Sequence, residues 1–322
     1  MNKSIAAIGV TKQVDKATVA TAPAYWHGVN SGKMATVEVT DEVLEVTTQI
    51  AAAALVNRTQ ADLPTGFKTL SFRNAVGLYL LGVLGDVGTT GAAAPYTHVF
   101  TMADALPWLT FFSELDAWLQ ANGASKISEL SFEWDGPKPL WITVVANGCT
   151  MSLPASIAPP VADEILGEFF TPVGGTFQGD VDGSTLADWS IFGGKITFKR
   201  ANTVDYFCTA ITPGDIGDGA LQTSVELKVR VADFDDWRTI VTGAADGTTI
   251  AGAPVVGSFS MEFVNNTDSL TFAAGRVMYS ASPMEPDPKG GGFDLSLKGE
   301  CLAEDSTTSP ITATLVNGVA AY

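Results

Sequence analysis

Histidine, cysteine and clustered basic residues are what this chain has least of. The two histidines, His27 and His98, stand in unrelated surroundings. Neither has a cysteine or a second histidine at ligand spacing, so no zinc or other metal site is assigned. Cys149, Cys208 and Cys301 are odd in number and far apart, which argues against a disulfide framework and is compatible with a reducing cytoplasm. Cys149 and Cys208 lie in β-like runs and are expected to be small buried apolar residues. There is no G-x-S-x-G elbow and no Walker A loop. Gly193-Gly194-Lys195 lacks the upstream glycine and the following Ser/Thr that cradle phosphates. No catalytic residue and no cofactor are assigned. No run approaches the length of a transmembrane helix. The apolar run Ile5 to Val10 stops at Thr11-Lys12-Gln13, too short for a signal peptide, and the chain is expected to be soluble and unexported.

Basic residues number 18 against 35 acidic ones, for a formal charge of −17, and no Lys/Arg cluster offsets the excess. A tight nucleic-acid binder needs a basic footprint, and anionic membranes need the same. Both classes are disfavoured. Asp180-Val181-Asp182-Gly183 lacks the distal ligands of a calcium loop and reads as a turn, as does Asp215 to Gly219. Asp233, Asp235 and Asp236 open a helix, where they favour its dipole.

What is abundant is short alternating runs, with 32 Gly and 16 Pro to break them and 46% hydrophobic residues to fill a core. That favours a mainly β class. Ile127 to Pro154 organises the reading. Leu130, Phe132 and Trp134 alternate with Ser131 and Glu133, Asp135 to Pro139 turn the chain, and a β-rich run returns from Leu140 to Leu153. The same pattern recurs roughly 130 residues later, in Gly257 to Pro283. There Phe259, Met261 and Phe263 alternate with Ser260 and Glu262, and Asn265 to Asp268 make the turn.

The neighbouring elements recur in the same order. A strand-like run Thr48 to Val56 and a helix-like run Ser71 to Leu84 precede the first hairpin. Thr223 to Val231 and Phe234 to Thr242 precede the second. Both helices end at a glycine, Gly85 and Gly243. Gly32-Lys33-Met34 echoes Gly194-Lys195-Ile196. The expected organisation is an N-terminal arm (1–30), a first domain (31–157) with an insertion at 86–121, a linker (158–170) and a second domain (171–322). Ser71 is the candidate cap of the first helix, and Gly77 and Gly82 suit a helix pressed closely onto a sheet. Asp86 to Ala94 reads as a flexible loop, Ser113 to Ala121 as helix or loop, and Ala303 to Tyr322 as a tail with one more strand.

The SFRNAVGLYLLGVLG helix, the PYTHVFTMADALPWLTF segment and the first hairpin together resemble the tail tube proteins of long-tailed bacteriophages. The resemblance covers most of the chain and rests on pattern rather than on one diagnostic motif. It implies two similar tube-type β-sandwich or barrel domains, each flanked by an α-helix and lending strands to a β-barrel shared between subunits. It implies a virion protein assembled in the host cytoplasm. Its rings stack into the conduit for DNA ejection, and its partners are copies of itself, the tape measure protein and the tail terminator and distal tail proteins. A duplicated domain implies a trimeric ring with pseudo-sixfold symmetry. Genomic DNA would pass without tight binding.

On that resemblance, the polar strand faces bearing Ser131, Glu133, Ser224, Glu226, Ser260 and Glu262 are the candidate lumen lining, acidic so as to repel phosphates. Lys228 and Arg230 extend one of these faces and would need carboxylate partners or another subunit. Tyr25, Trp26, Asp86, Gly88 and Gly91 are the candidate contacts between stacked rings. The alternative is a carbohydrate-binding, adhesin-type β-protein, which surface tryptophans such as Trp108, Trp118 or Trp141 would support if they lined one groove.

Overall fold

Where apolar and polar residues alternate, the chain forms strands whose burial alternates in step. The strands Pro64–Leu70, Trp141–Asn147, Leu221–Val231 and Val256–Asn265 each turn every second residue into the core. The computed structural model describes residues 6–33, 36–44, 55–115, 118–154, 156–157, 168–231, 234–281, 285–286, 293–305 and 307–322. They form a mainly β protein with large antiparallel sheets and two short helices.

The first layer is one sheet of eight neighbouring strands. In spatial order they are Ser31–Lys33, Pro64–Leu70, Trp141–Asn147, the second half of Trp118–Asp135, Ser190–Arg200, Leu221–Val231, Phe293–Cys301 and the end of Asp268–Ala281. The first four come from the first sequence half and the last four from the second. They meet where Glu133 stands opposite Lys195 and Trp134 opposite Gly194.

The second layer runs Ala187–Asp188, Phe177–Asp180, Val256–Asn265, the start of Asp268–Ala281, Thr312–Asn317, Tyr96–Met102 and Gly85–Thr90. A third, smaller sheet is Tyr25–Gly28, Ala6–Lys12, Leu109–Leu115, the start of Trp118–Asp135 and Thr150–Ser152.

Two long strands carry the chain between sheets. Trp118–Asp135 slips register between Asn122 and Ser125, where Ala124 takes φ 48°. Asp268–Ala281 pairs with Thr312–Asn317 through residues 269–273 and with Phe293–Cys301 through residues 277–281. Followed pair by pair, the ladders branch and do not return on themselves among the described residues. Open edges therefore remain at Ser31–Lys33, Tyr25–Gly28, Thr150–Ser152 and Gly85–Thr90.

The two layers close on one aromatic core that draws on both halves. Phe132 meets Phe272 with ring centroids 4.7 Å apart, and Trp134 meets Phe263 at 5.0 Å. Helix α1, Val76–Leu84, has all nine residues buried. Having no polar face, it can only be an interior element, and each buried Leu or Val contributes about 1.5–3 kcal/mol. Its two glycines allow close approach. A Cβ at Gly77 would fall 2.2 Å from the Tyr322 ring, and one at Gly82 would fall 2.7 Å from Ile127 Cδ1. Gly85 ends the helix at φ 103°, its N–H donating to the Leu81 carbonyl. Helix α2, Asp235–Thr242, ends likewise at Gly243, at φ 83°.

Several expectations change. The helix begins at Val76, and Ser71 makes no cap bond; its buried hydroxyl has no hydrogen-bond partner among the described residues. The arm 1–30 supplies two strands of the third sheet, because Ala6–Lys12 pairs with Leu109–Leu115 over seven residues. Asp86 to Ala94 is largely a strand, Gly85–Thr90, in hairpin with Tyr96–Met102. The described part of 113–121 is strand, not helix. Cys208 is exposed, whereas Cys149 and Cys301 are buried, and all three are free thiols. The expected tail strand is present at Thr312–Asn317. Residues 158–167 of the expected linker and 48–54 of the expected strand lie outside the described residues.

Candidate assembly face

The outward side of the first layer gathers four of the six residues singled out as lumen lining. Directly opposed residues in a sheet share a face. Glu133, Lys195, Glu226 and Lys298 form one cross-strand row, and Ser131, Thr197, Ser224 and Glu300 form the next. A third row adds Glu129, Lys199 and Gln222. Ser260 and Glu262 lie elsewhere, on the outward side of the second layer, opposite Ala273 and Thr271. The strand that carries them pairs mainly with the start of Asp268–Ala281, before that strand passes into the first layer, and alternation alone does not reveal this.

This face is charge-balanced rather than acidic. Lys68 binds Glu133 at 2.7 Å, Lys298 lies 3.6 Å from Glu226, and Lys199 lies 3.6 Å from Glu129. Arg230 pairs with Asp294 at 3.0 Å, which supplies the carboxylate partner its position required. Beside the face, the Lys138 ammonium holds Asp135 below the usual carboxylate range. The chain's negative excess therefore resides on other surfaces. Ser131 is itself buried within the sheet, so it adds a hydroxyl but little surface.

The expected ring contacts divide into two groups. Trp26 is 5% exposed and packs on Phe112 at 6.4 Å, so it is core rather than contact surface, and Tyr25 is its half-buried strand neighbour. Asp86, Gly88 and Gly91 are exposed on the open edge strand Gly85–Thr90 and its turn.

Neither histidine faces solvent. His27 Nδ1 lies 3.2 Å from the Gly28 carbonyl, and its Nε2 accepts from the Tyr79 hydroxyl, which assigns the ring proton to Nδ1. Burial pushes its pKa down to about 4. His98 sits between Thr89 Oγ1 and the Val319 carbonyl, each at 2.8 Å. No group of three or more His, Cys, Asp or Glu able to hold a metal ion occurs among the described residues. Asp180 accepts from the Gly183 N–H and the Ser258 hydroxyl, so DVDG is a closed turn. No described helix is long and apolar enough to cross a membrane.

Three tryptophans occupy three different settings. Trp108 lies under Lys126 at 4.2 Å, Trp141 is beside Lys68 at 5.7 Å, and Trp118 opens into a groove of ≈ 830 Å³ shared with Leu115, Met151 and Leu153.

Sequence reading missed Arg200. Its buried guanidinium donates to the carbonyls of Val83 and Leu84 at 2.9 Å, Ala103 at 3.0 Å and Gly219 at 3.1 Å. It thereby satisfies the last carbonyls of helix α1 from a strand of the other half. The available signal was parity: Arg200 continues the inward positions of Ile196 and Phe198. No protein-family model matches the sequence, and no curated protein matches it as a relative.

Proposed function

We propose that this protein is the subunit of a ring-built tube, the tail tube of a long-tailed bacteriophage, through which genomic DNA leaves the capsid. The observation that carries this reading is the eight-strand sheet shared by both halves. Inside one chain, the edge of the first half is completed by the strand of the second at Glu133–Lys195 and Trp134–Gly194. Among the described residues, the sequence counterpart of that receiving strand, Gly32-Lys33, pairs with Pro64–Leu70 and has no partner on its other side. Joining copies there would repeat between chains what already occurs within one, and would cover backbone groups that an isolated sheet leaves bare.

In this reading the far end of the sheet, residues 279–281, which pair on one side only among the described residues, receives the next copy, and three copies give a barrel of roughly 24 strands. With about 4.8 Å between strands and a tilt of about 40°, its backbone is about 48 Å across, which leaves an aqueous channel. The balanced rows of Glu and Lys suit a surface along which DNA slides, since each lysine that could hold a phosphate has a carboxylate opposite or beside it. The tape measure protein and the terminator and distal tail proteins complete the tail in this reading, with the virion as its location.

Negative-stain electron microscopy of the purified protein at high concentration tests the proposal. Rings of three copies that stack into tubes are the expected result. Six copies per ring would overturn the trimeric arrangement, and a monomer at every concentration would overturn the tube.

A further inference from the structure

The segment 201–219, between the strands Ser190–Arg200 and Leu221–Val231, is a strap whose two ends touch. A Cβ on Gly219 would fall 2.0 Å from the Ala201 carbonyl oxygen, and the Gly219 N–H donates to Asn202 Oδ1 at 3.1 Å. Beyond this neck the strap makes its own short ladder, Thr203–Asp205 with Asp215–Gly217, separate from the large sheets. Loops with closed ends of this kind behave as compact units.

The strap meets the first half at several points: the Ala61 N–H donates to the Ile211 carbonyl at 2.8 Å, the Tyr206 hydroxyl donates to Asp62, Asn202 donates to the Ile127 carbonyl at 3.0 Å, and both ion pairs of the strap lie at Asp215-Ile216-Gly217-Asp218. Asp215 accepts from Lys16 Nζ at 2.6 Å, and Asp218 accepts from Lys126 Nζ at 2.7 Å and from the Leu106 N–H at 3.3 Å. Both ammonium groups also lie over the Trp108 ring, at 5.3 and 4.2 Å. Between the two carboxylates, Ile216 is 1% exposed and packs with Ala124 and Cys149. One tryptophan, two lysines and an apolar hole thus receive two carboxylates and the isoleucine between them.

We infer that this socket is a binding site for acidic peptide segments of the form Asp-apolar-x-Asp, occupied here by the chain's own strap, which opens as a unit. The chemistry is specific in three respects. The lysines are spaced for two carboxylates three residues apart, the hole admits one branched aliphatic side chain, and Trp108 fixes both ammonium groups. An emptied socket would leave Lys126, whose side chain is 6% exposed, without its carboxylate. On opening, Lys16 and Lys126 lose these carboxylates, and a segment carrying two aspartates at the same spacing restores both pairs. This inference is independent of the tube reading.

Cys149 reports the opening, because it lies beneath Ile216 and burial pushes its thiol pKa up. Cys301, buried in the main core, reports global unfolding. In the full chain carrying Cys208→Ser, Cys149 is expected to react with a thiol reagent at least about tenfold faster than Cys301. Asp215→Asn with Asp218→Asn should speed Cys149 further and leave Cys301 unchanged. Adding the peptide ITPGDIGDGA to that variant should slow Cys149 again in a concentration-dependent way, whereas the same peptide with both aspartates replaced by asparagine should not. Equal rates at the two cysteines, or no protection by the acidic peptide, would overturn the inference.

Discussion

Arg200 and Leu84 lie 2.9 Å apart, nitrogen to carbonyl oxygen, so a charged side chain from the second half closes a helix of the first. The arrangement satisfies four carbonyls with one planar donor group, and desolvation lowers the arginine pKa from its ordinary value, opposed by the nearby charges of Asp218 and Asp104. Arg200→Ala leaves those carbonyls with no donor from this side chain, and each buried unmade bond costs about 1–3 kcal/mol. A loss of at least about 3 kcal/mol in urea unfolding is the expected result. A change below about 1 kcal/mol would show that water replaces the guanidinium.

Glycine-to-alanine changes in a helix interior usually stabilise by about 1 kcal/mol. At Gly82 the sign should reverse. The added methyl group would sit 2.7 Å from Ile127 Cδ1 and 2.8 Å from Leu109 Cδ1, and both belong to the packed core. Gly82→Ala is expected to cost about 1–3 kcal/mol, as overpacking does. A raised melting temperature would mean that the helix can shift away from the strands beneath it.

The Phe132–Phe272 contact joins the two sequence halves across the layers at 4.7 Å. Phe132→Ala and Phe272→Ala should each cost about 3–5 kcal/mol. The double variant should lose less than the sum, because one aromatic contact worth about 0.5–1.5 kcal/mol is counted twice. Strict additivity in the cycle would indicate that the halves are energetically separate.

Alternation made much of this legible in the sequence. Phe132, Trp134, Phe259, Met261 and Phe263 were expected to point inward and do so. Both helix-ending glycines were read correctly, because a left-handed terminus has a strong local signature. What failed was non-local. A run such as GDVGTT has low β-propensity, and it is a strand here because Tyr96–Met102 offers it a partner. Trp26 looked like a docking aromatic because the strands that bury it, Ala6–Lys12 and Leu109–Leu115, lie about a hundred residues apart. For the candidate face, parity placed Ser131 with Glu133, and Ser224 with Glu226, on the polar side of each strand; that the two strands share rows is set by pairing register. The interleaved Lys195 and Lys298 depend on strand order, which parity does not contain.

His27 makes stability depend on pH in a defined window. Its folded pKa is about 4, against an ordinary 6.5, because burial disfavours the charged ring. The unfolded chain therefore binds a proton first as pH falls. The contribution of the neutral ring is complete above pH 6.5 and is lost progressively down to about 4, amounting to about 3 kcal/mol. Comparing urea midpoints at pH 7.5 and 4.5 checks this. His27→Gln should flatten the difference between the two pH values, and an unchanged pH slope in that variant would assign the effect to the carboxylates.

Lys195 stands opposite Glu133 on one side and Glu226 on the other, so it is the centre of the charge-balanced row. Lys195→Glu would place three carboxylates side by side, with Lys298 opposite the last of them. Like charges directly opposed in a sheet are destabilising by up to about 1 kcal/mol each, and the penalty is screened by salt. The monomer should therefore lose about 1–2 kcal/mol of stability at low ionic strength and recover most of it at about 1 M salt, where the Debye length is about 3 Å. The converse pair, Glu133→Gln with Glu226→Gln, leaves Lys195 without opposing carboxylates. If the face lines a DNA channel, assembled protein carrying that pair should retain duplex at low salt, with affinity falling by a slope of about −0.9 per phosphate contacted. Assembled wild-type protein should retain none. Equal retention by both proteins would place this face away from the DNA.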